Sequence, residues 1–144
     1  MANVKDVAKY FIHLADETDD GISNLKLQKL IYYAQGFHLA LNDGNPLFSE
    51  DIEAWAHGPV VPEIYHEYKT YGREAINIVE KGKGDRLTGA EIDHLEEVFE
   101  VFGQFSAWKL RNMTHEETPW IENESDASVI PKLELKKYFE TRVE

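Results

Sequence analysis

Val4, Val7, Ala8, Phe11, Leu14 and Ala15 recur at spacings of three and four residues. That is the stripe of an amphipathic helix. The polar run Asp16-Glu17-Thr18-Asp19-Asp20-Gly21 is expected to end it. Ser23 then reads as the N-cap of a second helix, with Ile22 and Leu27 placed for a hydrophobic staple. This helix carries Leu27, Leu30, Ile31, Ala34, Phe37, His38 and Leu41 and stops at Asn42-Asp43-Gly44-Asn45-Pro46. Within Leu47 to Ala56 the pattern changes, because Ile52 and Ala54 alternate with Glu53 and Trp55 as in a half-buried strand. His57-Gly58-Pro59-Val60-Val61-Pro62 is expected to break that strand, and Pro62 to open a helix closing at Gly72. Ala75-Ile76-Asn77-Ile78-Val79 is a second strand candidate, followed by a flexible loop over Lys81-Gly82-Lys83-Gly84-Asp85.

Thr88 and Glu91 have capping-box spacing ahead of Ile92, Leu95, Val98, Phe99, Phe102 and Phe105. Ser106 restarts a helix through Trp108 and Leu110. Thr114 and Glu117 repeat the capping-box spacing, and Thr118-Pro119 opens a short turn. Leu133, Leu135, Tyr138, Phe139 and Val143 predict a terminal helix after Pro131. The expectation is a mainly α fold: one compact domain over residues 1–144, with about six or seven helices and a small two-stranded β ribbon.

Charge narrows the function classes. The chain has 15 basic against 27 acidic residues, a net charge of −12. The halves on either side of Gly72 each carry −6, so no tail holds the imbalance. This argues against nucleic acid as the main ligand, which needs a surplus of Lys and Arg, and favours a basic protein partner. No cysteine is present, which excludes disulfides, thiolate metal sites and a cysteine nucleophile. The start lacks a signal-peptide apolar region, and no run reaches membrane-spanning length, so a cytoplasmic protein is expected.

The search for catalytic chemistry returns little. No phosphate-loop motif occurs; Gly82-Lys83-Gly84 lacks the strand-to-helix setting that makes such a loop useful. The six histidines form no H-E-x-x-H or H-x-H, and the His13 and Asp16 pair on one helix face is two groups, too few for a metal site. Arg111 and His115 lie near the spacing of small helical ribonucleases. Glu134-Leu135-Lys136 matches an E-x-K element on the wrong kind of backbone. Ser23, Ser106, Thr88 and Thr118 are accounted for as caps. No cofactor is expected.

Three aromatic clusters stand out instead. Glu53-Ala54-Trp55-Ala56-His57-Gly58-Pro59-Val60 joins an aromatic, an imidazole and two residues that dictate backbone direction. Lys29-Leu30-Ile31-Tyr32-Tyr33-Ala34 and His115-Glu116-Glu117-Thr118-Pro119-Trp120 are the others. Two readings stand: core corners, or aromatic anchors of an interface. Tyr32 and Tyr33, adjacent on a helix, are not expected both to face one core.

In order along the chain, Leu27-Gln28-Lys29-Leu30-Ile31-Tyr32-Tyr33-Ala34-Gln35, Pro46-Leu47-Phe48, Glu53 to Pro62 with Tyr65, and His115 to Trp120 resemble the Panacea domain, the SocA-like antitoxin family of bacteria and phages. The resemblance runs from about Val4 to Phe139. It implies a mainly helical fold and an antitoxin of a type II toxin–antitoxin system that neutralises its cognate toxin by direct protein contact. Toxins paired with such relatives include small alarmone-synthetase-type enzymes and membrane-disrupting peptides. One relative is a proteolytic adaptor delivering its toxin to the ClpXP protease, which is the alternative here; a small helical ribonuclease or metal-dependent hydrolase is the enzyme alternative. Many relatives carry a DNA-binding region ahead of the domain, whereas here the resemblance starts near the first residue and no such extension is expected. The residues expected to shape the contact region are Gln28, Tyr32, Trp55, His57, Gly58 and Pro59, completed by His115 and Trp120.

Overall fold

A computed structural model describes residues 1–18, 21–77 and 84–143. The first helix, α1 (Val4–Asp16), is capped by the Asn3 side chain, which accepts from the Lys5 N–H at 2.8 Å. Its apolar stripe is buried, and Tyr10 and Ile12 widen it. Helix α2 (Asn24–Leu41) starts where expected, with Ser23 Oγ accepting from the Lys26 N–H at 3.2 Å. Every residue from Leu27 to Gly36 is buried, so α2 is a central helix walled on all sides rather than an amphipathic surface one. For that reason Tyr32 and Tyr33 are both fully buried, against the expectation for adjacent positions. Helices α1, α4 (Gly89–Phe102), α5 (Ala107–Thr114) and α7 (Lys132–Glu140) pack around it.

At Gly36 the α7 helix comes so close that a Cβ there would enter the Phe139 ring. That ring sits 5.4 Å from Tyr32, 6.0 Å from Tyr33 and 4.8 Å from Phe37, and Tyr33 stacks on Phe102 at 4.1 Å. The aromatic girdle joins the main hydrophobic cluster.

The β ribbon differs from expectation. Strand β1 is only Glu53–Trp55, and its partner β2 is Gly58–Val60, inside the segment expected to break it. The register pairs Trp55 with Gly58 and Ala54 with Pro59 across a two-residue turn, Ala56-His57. In that register Ala54 and Pro59 form a non-hydrogen-bonded pair, so the missing N–H of Pro59 costs nothing. The Ala54 N–H points the other way, donating to the Ser128 carbonyl at 3.0 Å. Ala75 to Asn77 form no strand; the Ile76 N–H donates to the Ile22 carbonyl instead. Ile78, Val79 and the Lys81-Gly82-Lys83 stretch lie outside the described residues, as do Asp19 and Asp20.

Beyond the ribbon, α3 (Pro62–Tyr68) begins on proline and passes through a 3₁₀ turn to Gly72, and α4 opens with the Thr88–Glu91 capping box. Ser106 caps α5. The third box does not form. Thr114 is the last residue of α5, and its hydroxyl donates to the Arg111 carbonyl at 2.8 Å. Glu117 precedes α6 (Thr118–Ile121) without a side-chain cap bond, and Thr118 is a helical residue rather than the cap. Among the described residues the fold is mainly α: seven helices and one two-stranded antiparallel ribbon. No described helix is long and apolar enough to cross a membrane.

Candidate functional site

The site is the β1–β2 hairpin and what holds it. From below, the central helix reaches up with side chains. Gln28 Oε1 accepts from the Val61 N–H at 2.9 Å, while its amide nitrogen donates to Asn24 Oδ1 at 3.0 Å. From the next residue, Lys29 Nζ donates to the Pro59 carbonyl at 3.2 Å. Gly58 lies directly over it at φ +115°, where a Cβ would come within 2.7 Å of Lys29 Cε and 2.9 Å of Thr114 Oγ1. Glycine is thus required twice there, by backbone conformation and by space.

From the side, the third aromatic cluster grips the opposite strand and the turn. Trp120 Nε1 donates to the Trp55 carbonyl at 2.7 Å. His115 Nε2 lies 2.9 Å from the Ala56 carbonyl and its Nδ1 2.7 Å from the Arg111 carbonyl, with the imidazole 3.9 Å from the Trp120 ring. Both ring nitrogens of His115 thus face backbone carbonyls, and the tautomer decides which of them donates. The Arg111 guanidinium lies 4.6 Å over the Trp108 ring.

The expected residues consequently separate into two groups. Gln28, Gly58 and Pro59 are buried in or beneath the hairpin, whereas Tyr32, also buried, bonds to Glu117 rather than to the hairpin. His57 is exposed, while Trp55, His115 and Trp120 are half-buried. The Trp55 indole N–H donates to Glu53 at 2.9 Å, and its ring packs edge-on against Tyr65 at 5.1 Å. A groove of about 530 Å³ opens beside Trp55 and His57, and its far wall is Trp108, which is 61% exposed.

Two buried ionisable residues were missed in the sequence. Glu117 accepts from the Tyr32 and Tyr33 hydroxyls at 2.8 Å each and lies 3.3 Å from Arg142. Burial pushes its carboxyl up, and the two tyrosines and Arg142 pull it back. The same burial and the nearby carboxylate raise both tyrosine hydroxyls. Lys29 is wholly buried, and desolvation, helped by the nearby Arg111 charge, lowers its ammonium to about 7. Its position inside the tyrosine-rich stretch was the available signal.

The family description "Antitoxin SocA-like, Panacea domain" matches residues 27–121, which span the central helix, the hairpin and the Trp120 turn. The chain belongs to that family. It is 35% identical over 126 residues to "Antitoxin SocA" of Caulobacter vibrioides (strain NA1000 / CB15N). That match covers 79% of this chain and 66% of the relative, so a third of the relative's length has no counterpart in the alignment. No solved structure matches. Within the family region, segments that are far apart in sequence meet at one hairpin. Among the described residues, no group of three or more His, Asp or Glu side chains is arranged to hold a metal ion.

Proposed function

We propose that this chain is the antitoxin of a type II toxin–antitoxin pair, a single binding domain that neutralises a protein toxin in the cytoplasm by direct contact and transforms no substrate. The contact face is the hairpin tip, with Trp55 and His57 at the surface and His115 and Trp120 completing its edge. Gln28, Gly58 and Pro59 act from beneath. One observation carries this reading: four side chains from two distant segments, Gln28, Lys29, His115 and Trp120, all come within hydrogen-bond distance of the backbone between Trp55 and Val61. So many independent supports for one short turn make it rigid, and a rigid turn presenting a half-buried indole and an exposed imidazole loses little entropy on binding.

Co-expression with the toxin encoded beside it tests the reading. Wild type restores growth, and Trp55→Ala and His57→Ala each weaken rescue while circular dichroism stays unchanged. If wild type gives neither rescue nor a co-purifying complex, the reading is lost. Toxin lifetime in cells with and without ClpXP distinguishes inhibition from delivery, and inhibition predicts the same lifetime in both.

A further inference from the structure

The groove beside the hairpin has the opposite electrical character to the rest of the chain. None of its described lining residues is acidic, and its charged ones, Lys69 and Arg73, are both cations. Arg73 also lines an adjoining hollow of about 510 Å³, whose only other charged described residue is Lys26. The two hollows together are lined by 22 described residues without one carboxylate. At the chain's average of 27 acidic residues in 144, such a lining would hold about four. Neither Lys69 nor Arg73 has an ion-pair partner among the described residues. Glu53, which accepts the Trp55 indole N–H, is not part of the lining.

The apolar part is equally distinct. Trp55, Tyr65 and Trp108 present ring surface to the first hollow, and Phe99 and Phe105 line the second. Trp108, at 61%, is among the most exposed large apolar side chains described, and Tyr65 is exposed to 36%. The hollows follow one another along the first turns of α2 and α5: Leu25 and Trp108 line one, and their neighbours Lys26 and Ala107 line the other. Such a shape accommodates an extended chain better than a small compact ligand.

We infer that this trough takes an acidic polypeptide segment of the toxin, with an apolar or aromatic side chain seated between Trp55 and Trp108 and carboxylates against Lys69 and Arg73. The inference rests on the direct-binding reading and specifies the partner's chemistry. It also replaces the simplest expectation from net charge, a basic contact surface, at this place on the molecule. A cationic strip in a strongly acidic chain rejects segments of the wrong sign by local repulsion, which confers specificity as well as attraction.

Fluorescence anisotropy with the full chain tests this. The probes are two labelled synthetic peptides sharing a Leu-Trp-Leu-Phe centre, one flanked by glutamates and one by lysines, with a single-stranded oligonucleotide as a third. The glutamate peptide is expected to bind at least ~10-fold tighter than the lysine peptide, with affinity falling as salt rises. The double variant Lys69→Glu/Arg73→Glu should reverse that preference, and Trp108→Ala should weaken the glutamate peptide about 10-fold while retaining the helical circular dichroism. Equal or tighter binding of the lysine peptide, an unchanged preference in the double variant, or binding of the oligonucleotide alone overturns the inference. Growth rescue separates the two claims. If wild type rescues and the charge-reversed variant rescues equally well, the groove assignment fails while direct neutralisation stands. If wild type does not rescue at all, the antitoxin reading fails, and the peptides still decide what the trough binds.

Discussion

Two ionisable side chains are buried against the central helix about one turn apart, and their surroundings treat them differently. At Glu117 the charge is surrounded: two tyrosine hydroxyls and a guanidinium converge on one carboxylate. At Lys29 the ammonium has the Pro59 carbonyl as its one hydrogen-bond acceptor among the described residues, and its nearest charged influence is another cation, Arg111. The first arrangement locks α7 and the α5–α6 corner onto α2. The second holds the hairpin with a group that burial drives toward its neutral form. The tyrosine site serves as scaffold, while the lysine site supports the face we assign to binding.

The largest effect is expected from Glu117→Ala. Truncation leaves two buried hydroxyls and Arg142 without their acceptor, a loss of about 3–5 kcal/mol, measurable by urea denaturation. Gly36→Ala disturbs the packing beside the same tyrosines without touching a charge. Its methyl group displaces the Phe139 ring and costs about 3 kcal/mol by the same urea denaturation.

Lys29→Met acts in the opposite direction. The unfolded lysine keeps its proton up to about 10.5 and the folded one loses it at about 7, so the unfolded state binds more protons between those values. Stability therefore rises with pH across that window, by at most about 1.4 kcal/mol per unit. The variant should be more stable than wild type at pH 7 by about 1–4 kcal/mol, and its stability should be flat from pH 7 to 9.5, before tyrosine titration intervenes. Glu117 has the reverse sign: its raised carboxyl gives stability that is present at low pH and lost as pH rises through its folded value. A wild-type curve with no upward slope above pH 7 would break the contrast between the two sites. The smallest effect belongs to Trp120→Phe, which removes one hydrogen bond to the hairpin backbone and costs about 1 kcal/mol.

Local chemistry was legible in the sequence where local chemistry decides. Ser23, Thr88 and Ser106 cap helices as their spacing implies, and Pro62 and Gly72 bound α3 and its 3₁₀ extension. What failed were positions settled by distant partners. Glu117 has a cap's spacing from Thr114, yet its carboxylate is taken by tyrosines about 85 residues earlier. Lys29 is a charged residue inside an apolar helix, which ordinarily marks a solvated face. Pro59 looked like a strand breaker because the sequence does not reveal which face of the ribbon lacks a ladder bond. The aromatic clusters were visible as clusters. That Trp120 and His115 close on the hairpin is tertiary information, as is the exposure of Trp108, which sequence alone placed simply in a helix.

Direct neutralisation is best tested by calorimetric titration of the purified full chain into its toxin. The account predicts saturable binding at fixed stoichiometry, weakened at least ~10-fold by Trp55→Ala in a protein whose circular dichroism is unchanged. Growth rescue without any heat of binding, or Trp55→Ala and His57→Ala chains that bind like wild type, would contradict it.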